Sequence, residues 1–205
     1  MKRGFYIIFE GGEGCGKSTQ AKLLKEFFDK NKIPCILSRE PGGIKESEQI
    51  RNILLKKENK LHPITELFLY EAARTEFFNQ KVIPSLKKGV TVIIDRSGYS
   101  TEAYQGYAGK VNLNLIKKLN EIATFGSSPF LVFLIDIETK KGLEKEKEKD
   151  RFAEKGIKYH EKVREGYLKI AKENKNKFIV IKYKEDKIQK MQLEIRKHLK
   201  QRMNI

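Results

Sequence analysis

The stretch that decides the fold is Gly11-Gly12-Glu13-Gly14-Cys15-Gly16-Lys17-Ser18, which fits G-x-x-x-x-G-K-[ST] without a mismatch. The apolar residues 5–9 before it predict a strand, and residues 18–29 after it have the spacing of an amphipathic helix. A glycine-rich turn between a strand and a helix directs several backbone N–H groups at one anion, and the helix N-terminus adds partial positive charge. The stretch therefore predicts a loop that binds nucleotide phosphates.

This loop and the end of a second strand predict sites for ATP and Mg²⁺. Lys17 is expected to reach the β- and γ-phosphates, and the Ser18 hydroxyl to ligate Mg²⁺. A buried strand over residues 90–94 leads to Asp95, where a carboxylate would orient the metal. The predicted ATP-binding residues are Gly11, Gly12, Glu13, Gly14, Cys15, Gly16, Lys17 and Ser18.

The rest of the chain alternates strand and helix patterns. Short apolar strands are predicted at residues 5–9, 35–37, 90–94, 130–135 and 178–181. Helices are predicted at residues 18–29, 46–56, 63–86, 112–123, 159–174 and 186–201. This order predicts a three-layer α/β fold, a five-stranded parallel sheet with helices on both faces, whose functional loops meet at the carboxyl edge. At 205 residues and 23.9 kDa, residues 1–205 are expected to form one domain.

Residues 140–158 differ from the rest because they contain few apolar residues. They carry a run of alternating charge from Glu144 to Arg151. We interpret this segment as a short mobile lid over the phosphate loop; an exposed helix end is the alternative. We call residues 140–158 the lid segment.

Composition limits the class of protein. Hydrophobic residues make up 39% of the chain, which is enough for a core, and no apolar run approaches the roughly 20 residues of a membrane span. Two cysteines and three scattered histidines indicate neither a disulfide framework nor a zinc site. The first apolar run is too short for a signal peptide, so a cytoplasmic location is expected. A net charge of +16 indicates an anionic partner, and the alternative is an excess of lysines on solvated helix surfaces.

Glu13 and Arg96 are unusual residues for the places they occupy. A carboxylate beside bound phosphates is unfavourable, so Glu13 needs a donor, either a substrate hydroxyl or a metal-bound water. Arg96 follows Asp95 directly and is expected to contact the phosphate of an acceptor, with a salt bridge as the alternative.

Several further motifs, in this order, resemble the bacterial type of thymidylate kinase (dTMP kinase), within the P-loop nucleoside monophosphate kinases. The motifs are Arg39-Glu40-Pro41-Gly42-Gly43, Thr65-Glu66 with Tyr70-Glu71-Ala72-Ala73-Arg74, Asp95-Arg96 with Ser100-Thr101-Glu102-Ala103-Tyr104-Gln105-Gly106, and Asp150-Arg151-Phe152 with residues 160–167. The resemblance spans nearly the whole chain. It implies Mg²⁺-dependent transfer of the ATP γ-phosphate to dTMP, giving dTDP, and it implies a homodimer without nucleic-acid or membrane partners.

The resemblance also implies which residues hold dTMP. Tyr70 and Arg74 lie four apart on one helix face, so the ring can stack on the base and the guanidinium can donate to thymine O4, where cytosine has an amino group. Similarity assigns the 3′-hydroxyl to Glu13, the thymine edge to Thr101 and Gln105, and exclusion of a 2′-hydroxyl to Tyr104. The implied phosphate ligands are Arg39, Arg51 and Arg96.

The lid segment departs from the resembled family. Position 14 is Gly, whereas eukaryote-like members have Arg there, and the bacterial type supplies that charge from the lid. Here the usual earlier lid arginines are lysines, so the transition-state role is assigned to Arg151, with Lys145, Lys147 or Lys149 as helpers. The predicted catalytic residues are Lys17, Arg96 and Arg151. A second departure is Ser97, where an aromatic residue is common.

Three other functions remain open at this point. Asp95-Arg96-Ser97 also resembles a motif of deoxynucleoside kinases, which phosphorylate a hydroxyl and need a carboxylate base, for which Glu10 is the candidate. A GTP-binding switch is disfavoured because no N-K-x-D motif is present. A nucleic-acid-binding protein would rest on charge alone.

Overall fold

All five predicted apolar segments form strands of one parallel sheet, in a computed structural model that describes residues 4–146 and 150–203. The strands are β1 (Tyr6–Glu10), β2 (Cys35–Arg39), β3 (Thr91–Asp95), β4 (Leu131–Asp136) and β5 (Phe178–Lys182). Their order in the sheet is β2-β3-β1-β4-β5. The predicted fold class is therefore confirmed, and each strand end differs from its prediction by two residues or fewer.

Helices connect these strands and cover both faces of the sheet. The α-helices are α1 (Lys17–Lys30), α2 (Lys45–Leu55), α3 (Pro63–Phe77), α4 (Ile83–Lys87), α5 (Gly98–Thr101), α6 (Leu113–Ala123), α7 (Thr139–Lys145), α8 (Ile157–Glu173) and α9 (Ile188–Met203). A π-helical turn, Phe78–Val82, joins α3 to α4, so the predicted helix over residues 63–86 is one continuous rod. A second π-helical segment, Glu102–Ala108, continues α5.

Alternating side chains of the central strand build two separate cores. Ile7 and Phe9 of β1 pack with Leu24 and Phe28 of α1 and with Ile195 of α9. Tyr6 and Ile8 point to the other face, which holds Phe77, Phe78, Val163 and Tyr167 from the helices there. The strands are buried on both faces, which explains their near-continuous apolar sequence.

Strand register determines which residues meet at the carboxyl edge. Asp95 at the end of β3 lies opposite Phe9 of β1 and Arg39 of β2. The phosphate loop leaves β1 at Glu10, next to these residues. No helix in residues 4–146 and 150–203 is long and apolar enough to cross a membrane.

Candidate active site

The phosphate loop has the backbone that its glycines permit. Gly14 and Gly16 have positive φ values of 61° and 89°, a region that residues with a Cβ rarely adopt. Gly16 directly precedes the first residue of α1, Lys17, whose Nζ donates to Gly12 O at 2.6 Å. Cys15 is fully buried, and burial raises the pKa of its thiol, so it acts here as a small packing residue.

A cavity of about 570 Å³ opens beside this loop at the carboxyl edge of the sheet. It collects residues from segments that are distant in sequence. The predicted site residues that line it are Glu13, Gly14, Gly16, Lys17, Ser18, Arg39, Arg51, Tyr70, Arg74, Asp95, Arg96, Thr101, Tyr104 and Gln105. Gly11, Gly12, Cys15 and Arg151, all within the described ranges, are not among the lining residues. The cavity thus joins the predicted ATP end to the predicted acceptor end.

Glu13 is neutralised by two protein groups. Its Oε2 accepts from Arg96 Nη2 at 2.8 Å, and its Oε1 accepts from the Tyr104 hydroxyl at 2.6 Å. Burial raises the pKa of Glu13, but Arg96, Lys17 and the Tyr104 hydrogen bond outweigh this and lower it to about 2. The protein itself therefore supplies a donor to Glu13, in addition to any substrate hydroxyl or metal-bound water. Each carboxylate oxygen keeps a lone pair that can accept a further hydrogen bond.

Arg96 is held in an unusual backbone conformation. Its φ is 68°, in the left-handed region, where an arginine is rarely found. Its amide donates to Phe9 O, and its guanidinium also contacts Gly11 O and the hydroxyls of Tyr104 and Tyr167 at 3.3–3.4 Å. These contacts turn the side chain from the end of β3 toward the phosphate loop. The salt bridge considered as an alternative, to Glu13, exists within the cavity itself.

The predicted metal ligands lie side by side. Ser18 Oγ donates to Asp95 Oδ2 between the start of α1 and the end of β3. A hydroxyl and one carboxylate next to a phosphate loop are the hard oxygen donors that suit Mg²⁺, which usually takes its other ligands from water and phosphate. The donor set therefore fits the ion.

Arg74 lines the cavity from within a dense buried network. Its Nε donates to Glu40 at 2.7 Å, and its Nη1 donates to Glu71 at 2.6 Å and Asn120 at 2.8 Å. Its Nη2 donates to Thr101 at 3.0 Å. These bonds use four of the five guanidinium N–H groups. One N–H of Nη2 is left to donate to a ligand in the cavity.

Burial of the Arg74 network predicts a pH effect on stability. Desolvation, aided by the charges of Glu71 and Glu10, raises the pKa of Glu40 from 4.5 to about 7 against the pull of Arg74. Because the pKa of Glu40 is higher in the folded protein than in the unfolded chain, its contribution to the free energy of unfolding is fully present below about pH 4.5. This contribution declines as pH rises through about 7. We expect Glu40→Gln to remove up to about 3 kcal/mol of this decline in the free energy of unfolding between about pH 5 and 8.

Urea unfolding across this pH range measures the effect. Glu58→Gln is the matched control, because it removes the same charge at an exposed position. The same pH slope in Glu40→Gln and wild type would contradict the assignment.

The two remaining arginines lie at the rim of the cavity. Arg39 is exposed and pairs with Glu48 at 3.0 Å. Arg51 Nη1 donates to Pro41 O at 3.0 Å, so α2 holds this guanidinium against the loop after β2. Arg39, Arg51 and Arg96 thus reach one cavity from three segments, an arrangement that suits a dianionic phosphate.

The lid segment contacts the phosphate loop through two glycines. A Cβ on Gly14 would lie 2.0 Å from Gly142 O of α7, so no larger residue fits at position 14 in this arrangement. The close approach of α7 explains why position 14 is Gly here and not the Arg of eukaryote-like members. Glu146 accepts from the Gly14 N–H at 2.9 Å. Lys145 also lines the cavity, whereas Lys147 and Lys149 lie outside the described residues.

Arg151 does not line the cavity beside the phosphate loop. Its Nη1 pairs with Glu66 at 2.6 Å, its Nε donates to Leu54 O, and its guanidinium stacks on Phe152 at 4.4 Å. Its side chain is only 9% exposed. Contact with a transferring phosphate would require this pair to break, so the catalytic role of Arg151 stays a prediction. The sequence did not indicate Glu66 as its partner.

Glu10 is placed unfavourably for a base acting on a substrate hydroxyl. It is fully buried, and its oxygens accept from the hydroxyls of Ser97, Ser100 and Tyr167 at 2.7–2.9 Å. The serine at position 97, where the resembled family has an aromatic residue, therefore binds Glu10. The deoxynucleoside kinase alternative loses its candidate base.

Comparisons with known proteins identify the family of this chain. A family model described as thymidylate kinase matches residues 9–195. Thymidylate kinase of Caldanaerobacter subterraneus subsp. tengcongensis is 42% identical over 87% of this chain and 87% of its own length, and that of Sulfurihydrogenibium sp. is 44% identical over 87% and 88%. The crystal structure of thymidylate kinase from Ehrlichia chaffeensis superimposes with a TM-score of 0.81 at 34% identity, covering 97% of this chain and 99% of that one. The chain belongs to the thymidylate kinase family.

Proposed function

We propose that this protein transfers the γ-phosphate of ATP to dTMP, giving ADP and dTDP, with Mg²⁺ held by Ser18 and Asp95. The observation that carries the proposal is one cavity with a phosphate loop at one end and the Arg74, Thr101 and Gln105 side chains at the other. Arg39, Arg51 and Arg96 line the same cavity and would bind the acceptor phosphate next to the loop. The cavity would thus offer complementary groups to the base, the sugar and the phosphate of dTMP.

The reaction needs positioning and charge neutralisation. The acceptor is a phosphate monoester, largely deprotonated at neutral pH, so no general base is required. Lys17 would stabilise charge on the transferring phosphate, and Arg96 would orient the acceptor phosphate beside it. Bound Mg²⁺ would neutralise charge on the phosphate oxygens. The lid segment would exclude water and so limit ATP hydrolysis.

An acceptor screen with ATP and Mg²⁺ tests the proposal. ADP release is measured with dTMP, thymidine, dCMP, AMP and GMP. We expect dTMP to be the best acceptor, with no activity after Mg²⁺ removal. Preference for thymidine would instead indicate a deoxynucleoside kinase. Equal rates with dTMP, AMP and GMP would contradict the proposal.

Replacement of Glu13 tests recognition of the sugar. Glu13→Gln keeps the shape but weakens a charge-assisted hydrogen bond to the 3′-hydroxyl, a bond worth roughly 1.5–3 kcal/mol. We expect kcat/KM for dTMP to fall about 10- to 100-fold. The same change should have little effect on a 3′-deoxy acceptor. A loss confined to ATP would place Glu13 with the metal.

We also propose that the protein is a homodimer, joined through α3 and α6. These helices pack on each other around Leu67 and Ile116, and their outer sides expose large apolar residues. Phe68 is 56% exposed and Ile122 is 59% exposed. Large exposed apolar side chains on two helices that pack together would suit an interface.

A charge placed on this surface should therefore dissociate the dimer. We expect Phe68→Glu to shift the mass measured by light scattering from dimer to monomer. Leu193→Glu is the matched control, because Leu193 is 62% exposed but lies on α9, against the other face of the sheet. Equal masses for the two variants would refute the proposed interface.

A further inference from the structure

Three side chains form a hydrogen-bonded series behind the base end of the cavity. Gln105 lines the cavity, and its Nε2 donates to Glu66 Oε2 at 2.8 Å. Glu66 Oε1 accepts from Arg151 Nη1 at 2.6 Å. Gln105 and Glu66 are 1% and 2% exposed. Neither Glu66 nor Arg151 lines the cavity, so both lie behind the residue that does.

This series determines which end of the Gln105 amide faces the cavity. A glutamine side chain has a donor end and an acceptor end, and it can turn over unless its partners differ. A carboxylate only accepts, so Glu66 holds the NH₂ group and leaves Oε1 on the other side. Within residues 4–146 and 150–203, no donor to Oε1 is found. Gln105 therefore presents a hydrogen-bond acceptor to the cavity.

Arg151 holds the Glu66 carboxylate in place, and Glu66 in turn holds the Gln105 amide. A buried carboxylate is costly unless a cation pairs with it. Arg151 supplies that cation from a fixed position, because its Nε donates to Leu54 O and its guanidinium stacks on the buried Phe152. Lys155 is a weaker partner, 3.6 Å from Glu66 and 30% exposed. Arg151 is thus the main partner of Glu66.

We propose that Glu66 and Arg151 are positioning residues that fix Gln105 as an acceptor toward N3–H of the base and so set discrimination between dTMP and dCMP. Thymine and uracil carry a donor at N3, whereas cytosine carries a lone pair there and would be repelled. The proposal rests on the proposed function. Because Arg151 belongs to the lid segment, the proposal also means that the lid segment positions the cavity residue that contacts the base.

Glu66→Gln tests this directly. An amide at position 66 can donate as well as accept, so it no longer forces one orientation on Gln105. We expect the ratio of kcat/KM for dTMP over dCMP to fall about tenfold, the size of one hydrogen bond. The ratio for dTMP over dUMP should not change, because both bases carry N3–H. Arg151→Met should lower the dTMP over dCMP ratio as well, and Lys155→Met, the matched control, should leave both ratios at wild-type values.

Ratios of kcat/KM for different acceptors, measured on one preparation, do not depend on how much of the enzyme is folded, because that fraction is the same for every acceptor. Equal losses with dTMP, dUMP and dCMP in Glu66→Gln would mean that the pair is only structural, and this would overturn the proposal. If Arg151→Lys lowers kcat equally for all acceptors at unchanged ratios and unchanged KM for dTMP, Arg151 acts at the transferring phosphate and not as a positioning residue. A wild type that does not prefer dTMP to dCMP would refute the proposed function itself.

Discussion

We expect Lys17→Ala to lower turnover about a hundredfold or more while the fold survives, because charge stabilisation is the main catalytic contribution in phosphoryl transfer. Lys17 is the first residue of α1, and its Nζ donates to Gly12 O at 2.6 Å and lies 3.5 Å from Cys15 Sγ. These partners are neutral, and Glu13, whose pKa Lys17 also lowers, keeps Arg96 and the Tyr104 hydroxyl as partners after the substitution.

Steady-state kinetics and thermal melting, measured together, check this result. Lys22→Ala is the matched control, because it removes the same charge from an exposed position of the same helix. We expect Lys22→Ala to behave as wild type in both measurements. Near-normal turnover of Lys17→Ala with an unchanged melting curve would contradict the role of the loop.

The phosphate loop and the sheet were predictable because their signals are local. Eight consecutive residues carry the loop pattern, and each strand is a short apolar run between turns. The segment Glu102–Ala108 was not assigned to any element, because a π-helix has neither of the periods that sequence patterns reveal. Helix α7 was assigned only to a lid, because it has too few apolar residues to show a buried face.

Electrostatic partners were less predictable than residue types. Glu13 and Arg96 were both assigned to the site, yet their direct pairing at 2.8 Å joins positions 83 residues apart. Arg151 was assigned to a phosphate, but its partner here is Glu66, which is 85 residues away. The sequence shows which residues are charged, but it does not show which of the 27 acidic residues lies next to a given arginine. The pairing follows from how the helices pack on the sheet.

Arg74 is the residue whose loss should affect both stability and recognition. It is 2% exposed, and its guanidinium donates to all four partners in its network, Glu40, Glu71, Asn120 and Thr101. Removing one member of a buried ion pair costs roughly 3–5 kcal/mol, because an uncompensated charge remains. We expect Arg74→Met to destabilise the protein by about this amount and to lower kcat/KM for dTMP about a hundredfold or more, since the donor to the base is lost as well.

A charge-balanced variant separates the two effects. In Arg74→Met combined with Glu40→Gln and Glu71→Gln, no buried carboxylate of the network lacks a cation, so the free energy of unfolding should recover most of its loss. Recognition should not recover, because no guanidinium N–H is present to donate to O4 of thymine. Urea unfolding and kcat/KM for dTMP measure the two quantities on the same preparations. If activity returned together with stability, Arg74 would be a structural residue and the base would be read by Thr101 and Gln105 alone.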